Sequence, residues 1–88
     1  MTRVLATISI LATDRQAISN ELNKILSDSG HLIMSRLGVN VQRNCFEHCM
    51  GLIILAVEGD GPKIAELEQN LKKLPHLIVK MSVMKEQE

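Results

Sequence analysis

Cys45, Glu47, His48 and Cys49 place four metal-capable side chains within five residues. Two thiols and an imidazole are the soft donors that zinc and other transition metals take. Cys45, His48 and Cys49 on one loop do not close a tetrahedral site, so Glu47, a neighbouring chain or water would have to complete a transition-metal shell. The plain alternative is an exposed loop whose thiols and imidazole do nothing specific. A Cys45 to Cys49 disulfide is a third reading, disfavoured if the chain lives in a reducing compartment. The other chemical groups sit where helical patterns begin, with Thr13 and Asp14 near one and Asp60 near the other. Thr and Asp are common at helix starts for backbone reasons alone. The only imidazole beside a potential nucleophile is His48 next to Cys49, in a loop expected to be wet, so no enzyme activity is expected.

Composition narrows the partners. The 88 residues carry ten basic and ten acidic side chains and a formal net charge of zero. Phe46 is the one aromatic residue. Affinity for nucleic acid comes largely from neutralised phosphates and stacked bases, so direct nucleic-acid binding is disfavoured. No apolar run approaches the ~20 residues that span a bilayer, which argues against a membrane protein. Arg3 and the run from Val4 to Ala12 imitate a signal peptide, but Thr7 and Ser9 interrupt it, and the chain is read as cytoplasmic with reduced thiols.

The elements that must position these groups follow from periodicity. Val4, Ala6, Ile8, Ile10 and Ala12 alternate with Arg3, Thr7 and Ser9, predicting a strand over about 3–12. Thr13 to Gln16 resembles a capping box. Ile18, Leu22, Ile25 and Leu26 form the stripe of a helix over about 14–28, closed at Gly30. A second strand is expected over about 31–42, with Ile33, Leu37, Val39 and Val41 on one face, Arg36 and Asn40 on the other, and a bend at Gly38. A third, over about 50–57, is apolar on both faces, as a central strand would be. Pro62 opens a second helix over about 62–74, with Ile64, Leu67, Leu71 and Leu74 as its stripe. The last strand covers about 76–84.

His31-Leu32-Ile33 recurs 45 residues later as His76-Leu77-Ile78, each time after a helical pattern. The chain is therefore expected to be one domain over 1–88, an α+β, ferredoxin-like βαββαβ two-layer sandwich with antiparallel strand order 4-1-3-2. That order puts His76 beside Thr13 and Asp14 and His31 beside Asp60, on opposite edges about 14 Å apart. It also leaves one sheet face bare. Leu5, Leu11, Ile78 and either Leu52 and Ile54 or Ile53, Leu55 and Val57 would project there, predicting a homo-oligomer, a dimer or tetramer.

Arg3-Val4-Leu5-Ala6-Thr7-Ile8, Ser35-Arg36-Leu37-Gly38-Val39, Met50 to Asp60 and Leu71 to Lys80 together resemble the family of iron-only hydrogenase system regulators. That family is itself similar to stand-alone ACT domains and to the regulatory domain of the nickel-responsive repressor. The resemblance covers nearly the whole chain and implies an ACT-like regulatory or ligand-sensing domain working through a small molecule or a protein partner. The small molecule is expected at an interface between chains, near the loop after the first strand at Thr13 and Asp14 and the turn Gly38, Val39 and Asn40. Three features depart from these relatives: the loop Thr13 to Gln16 lacks the glycine of amino-acid-binding ACT domains, there is no His-x-His pair for nickel, and the loop between the second and third strands is longer, its extra residues including both cysteines. The alternative function is metal binding through Cys45, His48 and Cys49.

Overall fold

A computed structural model describes residues 2–41 and 49–87. The elements run β1 (Arg3–Ala12), α1 (Arg15–Asp28), a short 3-10 turn (Gly30–Leu32), β2 (Ile33–Asn40), β3 (Gly51–Asp60), α2 (Gly61–Lys72) and β4 (Leu77–Gln87). The four strands form one sheet in the order β2-β3-β1-β4, which read from the other edge is 4-1-3-2, and every pairing is antiparallel.

Strict alternation in β1 explains its central place. Val4, Ala6, Ile8, Ile10 and Ala12 are buried, while the residues between them are exposed or partly so. The register carries that face across the sheet: Ile8 lies opposite Leu55 and Met81, and Ile10 opposite Ile53 and Val79. Both helices cover this face, α1 through Ile18, Leu22 and Leu26 and α2 through Ile64, Leu67 and Leu71. Burying a side chain of this size contributes roughly 1.5–3 kcal/mol, so this single apolar layer is the main source of cohesion.

Local chemistry sets the ends of α1 differently from the expected capping box. Asp14, not Thr13, is the N-cap and accepts from the Ala17 amide at 3.3 Å. Thr13 instead ties the end of β1 to the start of β4, donating from both its amide (2.8 Å) and its hydroxyl (3.2 Å) to the His76 carbonyl. His76 has a φ of 62°, a left-handed conformation that turns its carbonyl toward Thr13. The neighbourhood of Thr13 and His76 thus exists, but the His76 backbone makes it.

The faces of β2 also depart from expectation. Ile33 pairs with Val57 on the helix side, then the register shifts between Ile33 and Ser35. Beyond the shift Arg36 and Gly38 face the helices opposite Leu55 and Ile53, whereas Leu37 and Val39 lie opposite Ile54 and Leu52 on the open side. A single irregularity therefore parts Ile33 from the apolar residues it was grouped with. It falls at Met34, not at Gly38. On β3 the open side belongs to Leu52 and Ile54, while Leu55 and Val57 are buried.

The open side carries a scatter of exposed apolar groups. Leu37 and Ile78 are 59% and 50% exposed, and Leu5 and Ile54 each 38%. Among the described residues no helix is long and apolar enough to cross a membrane.

Candidate functional site

A groove of about 220 Å3 opens between the first half of α1 and the edge strand β2. Its floor is made by small residues on the helix side of the sheet. Ala12, Gly38 and Gly51 leave space that larger residues would fill, and Ile53 completes the surface. At Gly38 a Cβ would meet nothing within 4 Å, so the absent side chain leaves the groove open there. At Gly51 a Cβ would lie 3.2 Å from Cδ of Arg15, so this glycine gives the arginine stem its room.

The helical wall comes from one stripe of α1. Arg15, Ile18, Ser19, Leu22 and Asn23 follow the spacing of a single helix face. Ile18 and Leu22 are buried and lend apolar surface, while Arg15, Ser19 and Asn23 bring polar groups to the rim. From the sheet, Arg36 reaches across and donates from its guanidinium to Asn23 Oδ1 at 3.0 Å. This bond joins strand to helix over the groove. Two guanidinium-bearing residues, a hydroxyl and an amide therefore meet an apolar floor, and among the described residues the lining holds no carboxylate.

The N-terminal end of α1 is anchored to the chain entering β3. The Arg15 amide donates to the Cys49 carbonyl at 2.7 Å. Gln16 Oε1 accepts from the Cys49 amide at 3.1 Å, and Gln16 Nε2 lies 3.4 Å from Cys49 Sγ. Gln16 thus holds a neighbouring strand end, not its own helix cap.

The site residues expected from sequence divide into three groups. Gly38 lines the groove floor, and Val39 borders it while its side chain turns to the open side of the sheet. Thr13 and Asp14 are not among its lining residues and make the backbone bonds described above. Asn40 pairs with Gly51 in the ladder, and its side chain lies outside the described residues. Of the metal trio, Cys45 and His48 lie outside the described residues, while Cys49 is buried and disulfide-bonded. A sulfur so engaged offers no thiolate to a metal, so any metal role would begin from the reduced chain. The expectation of a reduced thiol is not met at Cys49. Among the described residues no group of three or more His, Cys, Asp or Glu could hold a metal ion.

Sequence reasoning missed Arg15, Ser19, Asn23 and Arg36. A signal for one of them was present, because the repeat that aligns His31 with His76 aligns Arg36 with Met81, beside the already expected Gly38, which it aligns with Val83. Only the first half carries a charge and a gap at these positions.

A separate charged cluster lies at the other end of β1. Arg3 grips Glu58 with two bonds of 3.0 and 2.7 Å and approaches Asp60 at 3.5 Å. The hydrogen bond to Glu58, then its charge, raises the Arg3 guanidinium above its ordinary range. His31 and Lys63 border the same hollow.

The architecture is that of ACT- and PII-like α+β domains. The protein TM1266 from Thermotoga maritima superposes with a TM-score of 0.83 at 24% identity, covering 94% of this chain and 99% of that one. The ACT domain from GTP pyrophosphokinase of Chlorobium tepidum follows at 0.68 and 17% identity, covering 91% of this chain and 86% of that domain. CPII, a nitrogen regulatory PII-like protein from Thiomonas intermedia K12, gives 0.63 and 14% identity, with 96% and 93% covered. Residues 4–81 match the TM1266-like family model, described as "Iron-only hydrogenase system regulator, putative". The chain belongs to that family. No curated protein matches it.

Proposed function

We propose that this chain is a small ligand-sensing regulatory domain that binds a metabolite in the groove between α1 and β2. In this reading the domain is ferredoxin-like, self-associates through its open sheet face, signals to a protein partner and catalyses no reaction. Family membership supports the regulatory role. The observation that carries the site is Gly38, a residue with no side chain on the helix side of an edge strand, beneath a rim of arginine, serine and asparagine. An apolar floor with a few convergent polar groups is the usual make-up of a small-molecule site, and a volume of about 220 Å3 fits a ligand smaller than a drug.

Thermal unfolding with a metabolite panel tests this. A ligand at ten times its Kd adds about 1.4 kcal/mol, which raises the midpoint of a domain this size by about 6–11 °C. The Gly38→Val variant should fold, since its Cβ meets open space, and should lose the shift. An equal shift in both proteins would place the ligand elsewhere.

A further inference from the structure

The two halves of the chain build two equivalent grooves, and comparing them separates what the fold needs from what a ligand needs. The second groove, about 340 Å3, lies between the first half of α2 and the edge strand β4. It is bounded by Gly61, Ile64 and Ala65 on the helix and by Met81, Val83 and, toward the end of the strand, Glu86. Gly61 and Arg15 are the first residues of their helices, so Ile64 corresponds to Ile18 and Ala65 to Ser19. On the strands, Met81 corresponds to Arg36 and Val83 to Gly38 by the repeat.

The apolar anchor is kept, since Ile18 and Ile64 are both buried to 1% exposure. The polar groups are not kept. Arg15, Ser19 and Arg36 in one groove become Gly61, Ala65 and Met81 in the other. The same architecture therefore closes with methionine at the position of Arg36, so packing alone gives no reason for a guanidinium there. Nor, among the described residues, does ion pairing supply one for Arg36, whose hydrogen-bond partner is the neutral amide of Asn23. That bond holds the guanidinium at the rim, where a planar fork of donors suits a carboxylate or a phosphate.

Resting on the groove reading above, we infer that the ligand is a small organic anion: an oxyanion head group held by Arg36 with a compact apolar body against Ile18, Leu22 and Ile53. Among the described residues, no carboxylate lines the groove to compete with it. Carboxylates and phosphate esters share this chemistry.

NMR titration with benzoate, phenyl phosphate and the neutral isostere benzamide tests the assignment on the wild type, Arg36→Met and Gly38→Val. Both substitutions install the residue that the second half carries at the equivalent position, and thermal unfolding verifies that each variant folds. Losing a charge-assisted pair weakens binding by roughly tenfold or more. At least one anion should therefore bind the wild type about tenfold more tightly than benzamide does. Arg36→Met should erase that preference, and Gly38→Val should abolish binding. A benzoate preference assigns a carboxylate, and a phenyl phosphate preference a phosphate ester. If benzamide matches both anions, or Arg36→Met leaves the preference intact, the anion assignment falls while loss of binding in Gly38→Val still supports the groove. If Gly38→Val binds every probe as the wild type does, or no probe binds the wild type, the anion assignment falls, and in the first case the groove falls with it.

Discussion

Single residues decide how closely the layers approach. Gly59 sits at a φ of 158°, and a Cβ there would lie 2.6 Å from Leu32 Cδ2. Leu32 is itself buried in the core, so its methyl has little room to retreat. Gly59→Ala should destabilise the fold by roughly 1–3 kcal/mol, as overpacking does, and urea unfolding reads it as a lower midpoint. Arg3→Ala is the useful comparison, because the bond to Glu58 is short but lies at the surface, where screening removes most of its worth. Its midpoint should stay nearer to wild type than that of Gly59→Ala. The opposite ranking would show that the exposed cluster, not the contact between Gly59 and Leu32, ties this end of β3. Neither residue stands out in the sequence, since a glycine between Glu58 and Asp60 reads there as part of a turn, whereas the structure continues β3 through Asp60.

At the scale of elements, legibility followed the strength of the period. β1 and β4 have apolar residues on one side over most of their length, and their helix-facing residues are those the alternation marks. Both helices follow stripes that are visible in the chain, and their buried residues come from those stripes. β2 was harder because one irregularity near Met34 changes the faces, and period-two reasoning has no way to locate it. The consequence is functional: the shift sends Arg36 and Gly38 toward the groove and Leu37 and Val39 to the open side. Leu37 and Ile54 then pair on an uncovered sheet face with Leu5 and Ile78 beyond them. If this face carries self-association, sedimentation velocity should find a dimer or tetramer, and Ile54→Lys should shift it toward monomer by placing a charge in the contact. A wild-type monomer, or an assembly indifferent to Ile54→Lys, would sink that use of the face.

The whole molecule is a duplicated unit whose two halves share a core but differ in chemistry. Duplication was legible because the repeated His-Leu-Ile segment keeps its spacing, and the strand order followed from it. The groove was only half legible. Gly38 and Val39 were expected at a ligand site, but Arg15, Ser19, Asn23 and Arg36 become neighbours only when α1 lies across β2. Sequence attention went instead to Thr13 and Asp14, whose bonds prove to fasten β4 and cap α1. Such hydrogen-bonding residues serve backbone needs as readily as ligand needs, and only placement tells the two apart. The most direct test is an amide chemical-shift map of the wild-type protein with the panel compound that stabilises it most. The account predicts the largest shifts at Ala12, Ser19, Gly38, Gly51 and Ile53, the residues around the groove. Shifts concentrated between Lys63 and Asn70, or on the open sheet face at Leu5 and Ile78, with the groove unmoved, would contradict it.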